Sequence, residues 1–213
     1  MPLPKLCNSN FRQLSSKELV YEQLKNWIID GKLLPGEKLL DMEIANLFSV
    51  SRTPVREAFL ALAHNKLVNI SPGKGTVVSD IDQKDIQKLY EALSMLHASV
   101  LELSFPKIDE SILKKLEDIN DQFLDETLDS LTTRKLDQSF HQIFFDLIDN
   151  NYLKTFKIQL DIHTQRAESL FFKLPQKREK SHSDHEKIIY FLRKKDLNKA
   201  RECLIDNWNV NER

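Results

Sequence analysis

Along the 213-residue chain the spacing of apolar and polar positions changes character near residue 80. Before that point the pattern is broken into short pieces. Leu19, Val20, Leu24, Trp27 and Ile28 recur at helical intervals and predict a helix from about Ser16 that stops at Gly31. The turn Leu34-Pro35-Gly36-Glu37 leads to a short second helix, roughly 41–48. Ser49-Val50 makes a tight connection into a third, about 52–65, with Val55, Ala58, Phe59 and Leu62 on its underside. Residues 67–70 and 76–79 are rich in β-branched side chains and flank Pro72-Gly73-Lys74-Gly75, which predicts a hairpin.

After residue 82 the period is helical almost without a break. It predicts six helices near 83–104, 109–127, 132–149, 152–174, 176–194 and 196–210. Ile86, Leu89, Tyr90, Leu93, Leu96 and Val100 form one apolar face; Phe140, Ile143, Phe144, Leu147 and Ile148 form another. The expected fold is mainly α: a winged helix-turn-helix over 15–80, then an antiparallel six-helix bundle over 81–213. Residues 1–14, with Pro2, Pro4 and a polar Asn-Ser-Asn run, are expected to be a flexible arm.

Composition sharpens that division. All four glycines (Gly31, Gly36, Gly73, Gly75) precede residue 80, so the two parts differ in architecture. Residues 1–80 carry 10 Lys+Arg and 8 Asp+Glu, against 21 and 24 in residues 81–213, a net +2 against −3. That asymmetry is too mild to establish nucleic-acid binding by charge alone. No apolar run approaches the roughly 20 residues of a membrane span. Cys7 and Cys203 form no disulfide framework, and a cytoplasmic location is expected.

The densest chemistry is in Val50-Ser51-Arg52-Thr53-Pro54-Val55-Arg56-Glu57-Ala58. Serine and proline mark a helix start, and two arginines four apart share one side of it. A cationic helix start with an apolar underside suits a helix laid in a DNA groove. This stretch, with L-x-P-G-E-x-L before it and L-V…G-K-G-T-x-V after, resembles the N-terminal domain of the GntR family of bacterial transcription regulators. The helical remainder resembles the FCD domain of the FadR branch, in its VanR-like subgroup. The resemblance implies DNA contacts at Ser51, Arg52, Thr53, Arg56 and Gly73, with Lys74 at the apex of the wing. It departs from the family at Met42, where a cation is common, and at Ser49, where the turn usually has glycine.

In the second part, Asp137 and His141 lie four apart on one predicted helix. His185 opens the inward series His185, Ile188, Ile189, Leu192, and Asn207 closes the series Ala200, Cys203, Leu204, Asn207. Such a set suits a divalent cation such as Zn, Ni or Mn. Metal-binding FCD domains use one Asp and three His; Asp137, His141 and His185 match the first three, and Asn207 stands at the last. Two further histidines, His97 and His163, occupy apolar faces. The subgroup often has arginine and glutamate on the first bundle helix where Leu93 and His97 stand, which leaves Arg166 as the cation for an acidic effector. The expected effector contacts are therefore Arg166, His163 and His97.

The expected function is a ligand-responsive transcription regulator, a repressor, binding a palindromic operator as a homodimer and modulated by an organic or sugar acid. The alternatives are a metal sensor without an organic effector and a helical metallohydrolase built on the Asp-His-His set.

Overall fold

The computed structural model describes residues 15–73, 75–125, 127–171 and 175–209, the side chains of 169–171 and 175–177 excepted. The expected arm (1–14) and Lys74 lie outside these. The chain divides into two compact units, Met1–Ile81 and Asp82–Arg213.

In the first unit α1 (Ser16–Ile29) begins with a reciprocal cap. Ser15 Oγ accepts from the Glu18 amide, and Glu18 Oε2 accepts from the Ser15 amide at 2.9 Å. The helix buries Val20, Leu24, Trp27, Ile28 and Ile29, and Trp27 meets Phe48 at 6.0 Å between ring centres. A two-residue strand, β1 (Lys38–Leu39), follows. It was not expected, because two residues carry no readable alternation. α2 (Asp41–Phe48) ends at Ser49, whose backbone is left-handed (φ 54°) where glycine would be unstrained.

α3 (Arg52–His64) buries the four residues its spacing predicted, Val55, Ala58, Phe59 and Leu62. Ser51 occupies the N-cap position with extended backbone, but its side chain makes no capping hydrogen bond. β2 (Val68–Ser71) and β3 (Gly75–Val78) complete an antiparallel sheet in the order β1-β3-β2, with Lys38 opposite Val77 and Val68 opposite Val78.

The second unit contains α4 (Gln83–Ser104), α5 (Glu110–Asp121), α6 (Ser130–Leu147), α7 (Asn151–Phe171), α8 (Pro175–Arg193) and α9 (Leu197–Asn207). Aspartates start four of them: Asp82, Asp109, Asp129 and Asp196 each accept from a first-turn amide. α5 is shorter than its pattern predicted, since residues 122–124 tighten into a 3-10 turn and drive Phe123 into the interior. Between the helices lies a core that includes Leu93, Leu101, Leu116, Phe140, Phe144, Phe145, Ile188 and Leu204. No described helix is long and apolar enough to cross a membrane.

Candidate nucleic-acid interface and candidate metal centre

At the start of α3, Ser51, Arg52, Thr53 and Arg56 are all exposed. The side chains of Arg52 and Arg56 are 53% and 64% accessible, so both guanidiniums stand in solvent on one helix face. Both also reach Asp41, the first residue of α2. Its Oδ2 accepts from Arg56 Nε at 2.7 Å and Arg52 Nη2 at 2.9 Å, and its Oδ1 accepts from Arg52 Nη2 at 3.0 Å. The hydrogen bond from Arg56 is the largest influence on the Asp41 carboxyl and, with the hydrogen bond and charge of Arg52, holds it below its ordinary range against the opposing effect of burial. Met42 is exposed beside it. Gly73 is exposed at the tip between β2 and β3 with φ 77°, a conformation costly for any residue with a side chain.

The bundle brings together Asp137, His141 and His185, all fully or almost fully buried. One ligand atom from each lies within 4.8 Å of the others. Asp137 Oδ1 is 3.5 Å from His185 Nε2, and Asp137 Oδ2 is 3.9 Å from His141 Nε2. Donors bound tetrahedrally at about 2.1 Å from an ion stand roughly 3.4 Å apart, close to the shorter of these separations. A carboxylate and two imidazoles also form a set that zinc, nickel and manganese accept. The residues present therefore fit a divalent cation.

The orientation of His185 is held from behind. Its Nδ1 lies 3.0 Å from Asn120 Oδ1 on α5, and Asn120 Nδ2 donates to the His182 carbonyl at 3.1 Å. Because that carbonyl can only accept, the Asn120 amide is oriented with its oxygen toward the imidazole. Nδ1 must then carry the proton, and a neutral His185 presents the Nε2 lone pair to Asp137. Phe140 stacks on the same ring at 3.7 Å and 9°, and Phe123 meets its edge.

The remaining expected residues are placed less uniformly. His97, buried on α4, packs at 5.1 Å from the His141 ring and 4.5 Å from Trp208, so it adjoins the Asp137/His141/His185 cluster. Asn207 is buried near the end of α9, immediately before Trp208, whose ring is 4.8 Å from His141. Arg166 is buried on α7 rather than lying on its surface, while His163 is half-buried.

Three contributors escaped the sequence reading: Asp41, Asn120 and Trp208. Asn120 carried a signal, since it continues the buried α5 series Leu113, Leu116, Asn120. A polar residue on an apolar stripe demands a partner. Asp41 carried none, because its relation to Arg52 and Arg56 depends on how α2 meets α3.

Comparison with known proteins agrees with this layout. The family model for "Bacterial regulatory proteins, gntR family" matches residues 16–78, and that for the FCD domain matches residues 88–208. The uncharacterized HTH-type transcriptional regulator YdhC of Bacillus subtilis (strain 168) is 27% identical over 193 residues, covering 89% of this chain and 86% of YdhC. The HTH-type transcriptional repressor RspR of Escherichia coli (strain K12) is 31% identical over 131 residues, 62% of this chain and 54% of RspR. The gluconate operon transcriptional repressor of Bacillus subtilis (strain 168) is 31% identical over 137 residues, 62% of this chain and 55% of that protein. Among solved structures, Escherichia coli McbR/YncC superposes with a TM-score of 0.69 at 18% identity, covering 93% of this chain and 96% of that one, a likeness of fold. The matched relatives are regulators, which removes the metallohydrolase alternative. On the two family models, the second alone spanning more than half its length, this chain belongs to the GntR family of bacterial transcription regulators and carries an FCD domain.

Proposed function

We propose that the protein is a cytoplasmic, homodimeric repressor that binds a palindromic operator and is modulated by a small acid held in the helical bundle. The observation that carries the DNA half is the exposed pair Arg52 and Arg56 on one face at the start of α3. Guanidiniums so placed contact guanine edges or phosphates, while the Ser51 and Thr53 hydroxyls suit phosphate oxygens at a helix start. Gly73 lets the wing backbone approach the duplex, with Lys74 beside it. Two matched relatives are named as repressors, which supports that sign of regulation.

Exposed apolar side chains on α4 (Met95, Leu103) and α7 (Tyr152, Phe156, Ile158) supply surface for a second copy. Two-fold symmetry in the protein is then met by two half-sites in the DNA.

Asp137, His141 and His185 would hold a divalent ion, with Asn207 as a further polar group. The ion would supply a fixed positive charge to anchor an acidic effector. Arg166, His97 and His163 are the remaining effector-contacting residues in this reading. Differential binding of that effector to two states of the protein couples the bundle to operator affinity.

The test is fluorescence anisotropy with a duplex from the promoter region of the protein's own gene. Arg52→Ala is expected to weaken binding by tenfold to about a hundredfold, as loss of one base-reading contact does. Unchanged binding would remove α3 from the interface. The buried Asp137/His141/His185 set also favours a second reading, a metal sensor with no organic effector. DNA affinity that responds to zinc or nickel without any added acid would select it.

A further inference from the structure

One carboxylate serves both arginines of the exposed α3 face, and the edges it occupies are informative. Arg52 uses Nε (3.2 Å) and Nη2 on Asp41, while Arg56 uses Nε alone (2.7 Å). A guanidinium has five N–H groups in a rigid plane. After pairing with Asp41, Arg52 retains Nη1 and one Nη2 proton, and Arg56 retains both terminal nitrogens. Each therefore keeps a two-donor edge, which is what bidentate contact with guanine O6 and N7 requires. The ion pair and the base contact are compatible.

Two consequences follow from elementary electrostatics. Long side chains tied at Nε have fewer rotamers to lose when they meet a base. The three groups together carry a charge of +1 rather than +2, which weakens their attraction to any phosphate backbone regardless of sequence. Asp41 lies in the first turn of α2, where a carboxylate is favoured by the helix dipole, and its side chain is 21% accessible.

We propose that Asp41 is a positioning and specificity residue of the DNA-reading face: it aims Arg52 and Arg56 so that their terminal edges discriminate guanine, and it lowers their affinity for other DNA. This rests on the reading that α3 contacts DNA. It differs from a latch that the operator must break, in which Asp41 would compete with DNA for the arginines.

The experiment uses the full-length protein as wild type, Asp41→Asn, Asp41→Ala and Asp41→Glu. Wild-type protein first selects duplexes from a random-sequence library. Affinities are then measured for the selected duplex and a shuffled copy across a salt series, with melting curves recorded for each variant. Asp41→Asn and Asp41→Ala are expected to narrow the selected-to-shuffled affinity ratio tenfold or more. Their salt dependence on shuffled DNA should steepen, by a slope change of about one. Asp41→Glu should recover part of the ratio. Replacing guanines of the selected duplex with 7-deazaguanine should cost the wild type more than Asp41→Asn.

An unchanged ratio in a folded Asp41→Asn protein overturns the proposal, and tighter binding of the selected duplex identifies a latch instead. Should Asp41→Asn and Asp41→Ala unfold, a wild type indifferent to 7-deazaguanine in the selected duplex overturns it. Failure of the wild type to select any sequence overturns the DNA reading itself, and is seen in that arm alone.

Discussion

Each unit of the protein gathers acid and base around one aspartate, and the two gatherings differ in how far water reaches them. Asp41 meets Arg52 and Arg56 at the surface, where solvent screens every charge. Asp137 meets His141 and His185 with essentially no exposure. A surface pair contributes little to folding and can exchange partners at small cost, which suits groups that must meet DNA. A buried carboxylate pays a heavy desolvation cost and needs positive charge held close to it. The first arrangement is available for recognition; the second is available for storing a cation. One residue type therefore stands in two chemically different settings, separated by their dielectric surroundings.

The contrast can be broken most forcefully at Phe140, which is fully buried and stacked on His185. Phe140→Ala should lower unfolding free energy by about 3–5 kcal/mol in denaturant titration, by leaving a cavity beneath the imidazole. A loss below about 1 kcal/mol would mean that the surroundings of the buried cluster collapse freely and do not hold its geometry.

Next in size is Asn120→Leu, which removes the acceptor at His185 Nδ1. Affinity for zinc, measured by competition with a chromogenic chelator, should fall about 10–100-fold while one ion per chain is still bound at saturation. Equal affinity in the variant would show that Asn120 only joins α5 to α8. A wild type that binds no stoichiometric ion would refute the metal centre itself.

The smallest effect is expected at Asp41, half-buried beneath the two exposed arginines. Asp41→Asn should change folding stability by no more than about 1 kcal/mol near neutral pH. Its carboxyl is depressed in the folded state, chiefly by the hydrogen bond from Arg56. The contribution is therefore complete above the ordinary value near 3.8 and is lost as pH falls through the lower folded value. Melting temperatures of wild type and Asp41→Asn should differ most above that range and converge in acid. A large gap at neutral pH would show that the surface cluster is structural as well.

Much of the architecture was legible because helices announce themselves locally. The start of α2 and α3, and the whole of α4, fall where the apolar period placed them. β1 was illegible because pairing with β3 creates it, and α5 ended early because Phe123 is drawn inward by tertiary burial. The left-handed Ser49 is a place where local preference yields to the connection between α2 and α3.

Within the candidate sites the same division holds. Asp137 and His141 share a helix face by their spacing of four, and His185 heads an inward series, so their direction was readable. Ser51 stands at the start of α3 as the serine-proline signal implied, yet makes no capping hydrogen bond, since the cap position is a backbone property that does not assure the side-chain bond.

The sequence by itself determined the two architectures, the boundaries of most helices, and which donors face inward or outward. Those properties depend on periods of three to four residues and on caps within one turn. Tertiary structure alone decided that Asp41 would hold two arginines 11 and 15 residues away, and that Asn120 would orient a histidine 65 residues away. Helical periodicity states the side of a helix on which a group lies. Only the packing of one helix against another determines what that group meets.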